Sequence, residues 1–158
     1  MQEIENILQH ITQGVYVVAV ADGDKTNAFT AAWVMQVSFS PLLLAISINP
    51  EHYSYQLLQK GGVCSVNVLS REQMHLAEHF GKSGMSDKMS LGTWAAALTG
   101  APVLQESLAY FDCKVSHEIS AGDHQVVVCE VQEARQLNVG VAMCYSDTGN
   151  MDKSSDLY

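Results

Sequence analysis

Hydrophobic and polar positions alternate in short blocks along most of the chain, and turn residues separate the blocks at close spacing. The run at 15–21 is apolar and rich in valine, and it closes on Asp22-Gly23-Asp24, which predicts a strand and a tight turn. Residues 27–38 mix small and apolar side chains and lead to Pro41, and 42–48 reads as a buried strand ended by Asn49-Pro50. VCSVNVL at 63–69 is another strand. The segments 108–119 and 125–131 alternate with period two and are joined by Ser120-Ala121-Gly122-Asp123, the clearest hairpin signal in the chain. Residues 137–144 suggest one more strand. Three stretches read instead as helices. Residues 2–10 place Ile4, Ile7, Leu8 and Ile11 on one face and stop at Gly14. Residues 54–60 are closed by Gly61-Gly62, and 71–80 form the third. Between 81 and 92 the sequence is irregular and rich in Gly, Ser and Met, the pattern of a lid or binding loop. From Ser146 onward the chain is polar and is expected to be loose.

Strands with a few inserted helices predict a mainly β fold, an antiparallel barrel rather than a parallel α/β sheet. With no internal repeat or linker, 1–158 reads as a single domain. A glycine-rich dinucleotide fingerprint and a P-loop are both absent from the sequence.

Composition narrows the function. Hydrophobic residues at 47% and charged residues at 16% describe a globular chain. Net charge is −9, and the 8 Lys and Arg are scattered among 17 Asp and Glu, which argues against nucleic acid and against anionic membranes as partners. The apolar runs are shorter than a bilayer span. The first residues carry Glu3 and Glu5 in place of a basic n-region, so the cytoplasm is the expected location. The four cysteines, Cys64, Cys113, Cys129 and Cys144, show no C-x-x-C spacing and sit in apolar stretches, so they read as buried free thiols. His75 and His79 lie four apart without a third ligand at sensible spacing, and read as surface histidines rather than as a metal site.

Several segments, in this order, resemble the flavin reductase-like proteins. They are Gly14-Val15-Tyr16-Val17-Val18, Asn27-Ala28-Phe29-Thr30-Ala31-Ala32-Trp33, residues 41–48, Val66-Asn67-Val68-Leu69, Ala77-Glu78-His79-Phe80-Gly81 with Asp87-Lys88 beyond, and Gly122-Asp123-His124 before 126–131. Their shared order and spacing carries the likeness, which runs from about 14 to 131. The resemblance implies an FMN-binding split antiparallel β-barrel, a homodimer, and flavin in a groove near the subunit interface.

A flavin mononucleotide site makes three demands: partners for a phosphate, hydrogen bonds for a ring edge that gains negative charge on reduction, and an open face for a nicotinamide. Ala31 and Ala32 are small enough to let main-chain N–H groups approach a flat ring, where such groups stabilise developing negative charge. Asn27 and Thr30 offer side-chain hydrogen bonds, and Trp33 offers a rigid surface beside the ring. Ser47 would meet the ring edge or simply end a strand. The resemblance brings 50–54 to the phosphate, with Ser54 at a helix start where N–H groups favour an anion, although relatives often carry Arg where His52 stands. It places Lys88 near the same phosphate, and it associates Gly122-Asp123-His124 with pyridine nucleotide and flavin, making His124 the candidate catalytic residue. The expected activity is NAD(P)H-dependent reduction of bound FMN, with electrons passed to a small-molecule or protein acceptor. The alternative is a flavoredoxin-like electron carrier that holds FMN without nicotinamide turnover.

Overall fold

The computed structural model describes residues 2–153 and 157. In chain order the elements are α1 (Gln2–Leu8), β1 (Tyr16–Asp22), β2 (Lys25–Ala31), β3 (Val34–Ser38), β4 (Leu43–Ile48), α2 (Tyr53–Gly61), β5 (Val63–Val68), α3 (Met74–Gly81), β6 (Trp94–Ala96), β7 (Pro102–Leu104), β8 (Ala109–Ala121) and β9 (His124–Gln136). Single turns of 3-10 helix stand at Lys88–Ser90 and Tyr145–Thr148.

Seven strands form one antiparallel sheet in the order β2-β1-β5-β8-β9-β4-β3. Its two edge strands, β2 and β3, follow each other in the chain with only Ala32 and Trp33 between them. A linker that short spans roughly 10 Å at full extension. The sheet must therefore curl until its edges nearly meet, which makes a barrel with a split between β2 and β3. The expected split antiparallel barrel is thus the fold, and the residues at the split are the ones the functional reading depends on.

Packing explains why β1 is apolar without alternation. Val18 and Val20 face the barrel interior with Phe29, Ile46, Ile48, Val66 and Val127, and α2 inserts Tyr55, Leu57 and Leu58 into the same cluster. Val17 and Ala19 face the other way, onto Leu76, Ala77 and Phe80 of α3. A strand covered on both faces reads as a continuous hydrophobic run. Phe80 is fully buried and meets Trp94 edge to face, with ring centroids 5.7 Å apart.

Several expectations are revised. The third helix begins at Met74 rather than 71, because Ser70-Arg71-Glu72-Gln73 is occupied by a turn in which the Gln73 side chain accepts the Ser70 amide. Residues 137–144 make only isolated bridges, Gly14 to Cys144 and Ser70 to Ala142, and no strand. The hairpin strands run further than their sequence pattern suggests, to Ala121 and from His124, leaving Gly122 and Asp123 as the tip; Gly122 takes φ +61°, which a residue without Cβ adopts freely. Of the four free cysteines, Cys64, Cys113 and Cys129 are buried but Cys144 is only half-buried. The apolar face of α1 is not covered within the chain: Ile4, Ile7 and Leu8 are exposed, as is Ile11 beyond its end.

Candidate functional site

The split of the barrel opens onto two adjoining cavities. A groove of about 1420 Å³ lies between β2, the first turn of α2 and the 81–90 loop. A second cavity, of about 700 Å³, is bordered by Trp33, Ser47, His124 and α1. Phe29, Thr30, Ala31, Ala32 and His52 line both, so the segment at the split is the shared wall.

In the groove, Asn27 on β2 donates from Nδ2 to Ser54 Oγ at 3.0 Å. Ser54 is 2% exposed, and its hydroxyl proton remains available to a ligand. It occupies the first turn of α2 rather than the cap; the cap residue is His52, which makes no side-chain cap bond. The amides of that first turn are therefore left without a side-chain acceptor, the arrangement that favours an anion at a helix N-terminus. Thr30 turns its hydroxyl away from this role: Oγ1 donates to the Ala77 carbonyl at 2.6 Å and docks α3 onto β2. Only the lone pairs of Thr30 are left for a ligand.

Lys88 is 8% exposed and lines the groove. Among the described residues no carboxylate lies within ion-pair distance of it. Burial holds its ammonium below the usual lysine range. A buried cation without a counter-charge costs stability, and an anion in the groove offsets that cost. The backbone of Lys88 is fixed by His79, whose Nε2 lies 2.8 Å from the Lys88 carbonyl oxygen. His79 is accordingly half-buried and bonded, not a surface histidine, while His75 is exposed. His52 stands between the two cavities. Partial burial, then the charges of Lys88 and His124, keep its imidazole below the ordinary histidine value.

At the second cavity, the His124 ring lies 5.0 Å from the Trp33 ring, tilted by 56°. Asp123 Oδ1 is 2.7 Å from His124 Nδ1, and that hydrogen bond holds the Asp123 carboxyl below the usual range. Because the carboxylate oxygen accepts, Nδ1 carries the hydrogen, and Nε2 is the second hydrogen-bonding atom of a residue that lines the cavity. Trp33 is 47% exposed. Ser47 N donates to the Trp33 carbonyl at 2.9 Å, so β4 fixes the chain just past the split. Asn27, Ser54 and Lys88 thus gather in the groove; Trp33, Ser47 and His124 gather at the second cavity; and Thr30, Ala31 and Ala32 lie between.

Two contributors were missed. The spacing of His79 from His75 suggests only a metal site or a surface position, yet its partner is a backbone carbonyl nine residues away, which no side-chain pattern encodes. The C-terminal segment expected to be loose is ordered between Tyr145 and Asp152, while 154–156 and 158 lie outside the described residues. Tyr145–Thr148 is a helical turn, Tyr145 Oη donates to Asp152 at 2.7 Å, and both residues line both cavities. Among the described residues no three His, Cys, Asp or Glu side chains are grouped to hold a metal ion, and no helix is long and apolar enough to cross a membrane.

The class is thus that of split antiparallel barrels, here with a groove lined by Asn27, Ser54 and Lys88 and a second cavity lined by Trp33 and His124 beside the split. The chain belongs to the flavin reductase like domain family, whose model matches residues 8–151. It is similar to the FMN reductase (NADH) RutF of Pseudomonas syringae, with 36% identity over 118 residues, covering 74% of this chain and 66% of that protein. RutF of Stutzerimonas stutzeri is 30% identical over 130 residues, covering 81% of this chain and 75% of its own length. Other relatives are far longer: the chain spans 24% of a diflavin flavoprotein sequence from Nostoc sp.. Among solved structures, the NADH:FAD oxidoreductase SgcE6 of Streptomyces globisporus superposes with a TM-score of 0.84 at 26% identity, covering 92% of this chain and 88% of that one. BorF, the flavin reductase component of a bacterial two-component tryptophan halogenase, gives 0.83 at 27% identity, covering 93% and 94%.

Proposed function

We propose that this protein is a flavin reductase that holds FMN in the groove and reduces it with NADH, releasing reducing equivalents to a separate acceptor. The observation that carries this reading is Lys88: a lysine only 8% exposed, with no carboxylate in ion-pair distance among the described residues, lining the same groove as Ser54 and the uncapped first turn of α2. Those groups suit a phosphate, with the Asn27 bond presenting the Ser54 hydroxyl and Lys88 supplying the charge. FMN, when bound, supplies the chemistry by accepting a hydride from a reduced nicotinamide and passing electrons onward. The protein's part is position and field. The main chain at Ala31 and Ala32, stripped of bulk, borders the shared wall where a flat ring fits between the two cavities. His124, oriented by Asp123 and packed beside Trp33, offers Nε2 as hydrogen-bonding group to whatever enters the second cavity.

The reductant reading is NADH. Among the described residues no Lys or Arg lines the second cavity, whereas Glu5 and Asp152 do, so a 2′-phosphate would meet acidic rather than basic groups. The names of the RutF relatives and SgcE6 point the same way. The electron-carrier alternative keeps FMN in the groove but assigns no nicotinamide to the second cavity; the Asp123–His124 pair at that cavity favours the enzyme. The 81–92 segment, which forms one groove wall, is the natural lid. We further infer a homodimer. On β3 and just beyond it, Met35, Val37 and Phe39 are exposed, Phe39 at 90%. A free edge of this kind invites pairing or covering. Free thiols in the barrel agree with work in the reducing cytoplasm.

The test is steady-state oxidation of NADH followed at 340 nm with FMN varied. The reading predicts a rate that saturates in FMN and is far lower with NADPH. FMN that stays bound and oxidised under anaerobic NADH, yet is reduced by another redox protein, would establish the carrier.

A further inference from the structure

We propose that His79 is a positioning residue that sets Lys88 over the groove, so that its hydrogen bond to the Lys88 backbone controls how strongly the protein distinguishes a phosphorylated flavin from an unphosphorylated one. The inference rests on the assignment of Lys88 to a phosphate.

Three hydrogen bonds tie the groove together, and two of them start on β2. Asn27 holds Ser54 on α2, and Thr30 holds α3 through the Ala77 carbonyl. Two residues further along α3, in its last turn, His79 reaches across to the Lys88 carbonyl at 2.8 Å. That carbonyl can only accept, so Nε2 of His79 carries the hydrogen. The bond closes a loop of eight intervening residues, 80–87, whose own order otherwise rests on the Lys82 amide donating to the His79 carbonyl and the Ser90 amide donating to the Asp87 carbonyl. The imidazole is itself fixed, since its ring meets Phe80 edge to face at 4.8 Å and Phe80 is fully buried. Gly81 follows at once, close enough to Thr30 that a Cβ would stand in van der Waals contact with it. Lys88 is thereby referred, through α3, to the same strand that positions Ser54. Without His79, the lysine's stem would still be covered, but its backbone would lose the one side-chain bond that ties it to α3.

A merely structural histidine would affect every ligand alike; a positioning residue affects only the ligand that Lys88 senses. FMN and riboflavin differ by the phosphate alone, so the ratio of their dissociation constants is the readout, obtained by quenching of flavin fluorescence on the full chain. Three variants are needed: His79→Phe, which keeps ring packing and removes the donor; His79→Gln, which retains an N–H; and Lys88→Met. His79→Phe is expected to weaken FMN by about 5- to 20-fold while riboflavin changes less than about twofold, the scale of one displaced charge-assisted contact. His79→Gln recovers most of that loss. The double variant His79→Phe/Lys88→Met binds FMN no more than about twofold worse than Lys88→Met alone, because one residue acts through the other. Losses that multiply in the double variant, an equal loss for riboflavin, or no recovery in His79→Gln each overturn the proposal. If His79→Phe does not fold, His79→Ala replaces it in the same cycle with the same criteria. A Lys88→Met variant that leaves the ratio of FMN to riboflavin dissociation constants unchanged would instead remove the phosphate assignment on which this inference stands; a raised ratio for Lys88→Met with an unmoved one for the His79 variants removes the inference alone.

Discussion

Lys88 shows how much one side chain's surroundings add to its sequence. In the chain it is one of eight scattered cations, and most such lysines are solvated. In the fold it is buried, faces a groove and has no ion-pair partner among the described residues. Replacing it by Met removes the groove's buried cation, and FMN affinity is expected to fall about 10- to 100-fold, as measured by titration calorimetry, from the loss of a charged hydrogen bond of roughly 1.5–3 kcal/mol. Asn27, Ser54 and Lys88 were legible as phosphate candidates, two of them through family resemblance. Their mutual arrangement was not, since the Asn27–Ser54 bond joins residues 27 apart in sequence. His52 adds a pH dependence whose sign is fixed. Its folded imidazole sits below its ordinary value, so the folded state takes up its proton later than the unfolded chain does. His52 therefore stabilises the fold fully above the unfolded histidine value of about 6.5, and that stabilisation is lost as pH falls from there through its folded value. Thermal melts over this range should show wild type losing Tm on acidification more steeply than His52→Gln. An FMN phosphate in the groove opposes the shift, so saturating FMN should flatten the wild-type curve.

The elements most visible in the sequence were those with a clear period or an unbroken apolar run between turn residues. The 15–21 run, the 42–48 run and the paired 108–119 and 125–131 segments all became sheet strands, because each had at least one face buried against the barrel core. β6 and β7 escaped notice because three residues are too few to show alternation, and they pair only with each other. The 137–144 segment misled for the opposite reason: its apolar residues anchor through buried Met143, while Val139 and Val141 stay exposed. α2 depends on one glycine for its position. A Cβ on Gly61 would overlap the backbone carbonyl of Ala21 on β1, so Gly61→Ala forces the helix off the barrel. The expected cost is on the order of 1–3 kcal/mol or more in urea unfolding, with FMN binding weakened as Ser54 moves with the helix. Phe80→Ala should cost about 3–5 kcal/mol, since that ring is fully buried between His79 and Trp94.

At the scale of the whole molecule, the connection between β2 and β3 decides the function as well as the shape. Consecutive strands that end on opposite edges of one sheet oblige it to curl, and the end of β2 with Ala32 becomes the wall between groove and second cavity, with Trp33 on the side of the second cavity. The wall is legible in the sequence as the segment 27–33, and the barrel as a fold class. The return of the Tyr145–Thr148 turn to the cavities is not, because nothing in 145–152 encodes a partner more than a hundred residues earlier. The same scale governs assembly. Val37→Asp with Phe39→Glu places like charges on the proposed subunit contact, and sedimentation is expected to show a dimer for the wild-type chain and a monomer for the double variant; a wild-type monomer would contradict the proposed dimer, and a dimer unchanged by the two substitutions would relocate the interface. The central claim is that this groove grips flavin by its phosphate, and it is tested most directly by titrating the wild-type protein into FMN and, separately, into riboflavin. Fluorescence quenched at micromolar protein for FMN, and at least tenfold weaker binding for riboflavin, is the predicted result. FMN that remains fully fluorescent, or riboflavin that binds equally well, would contradict it.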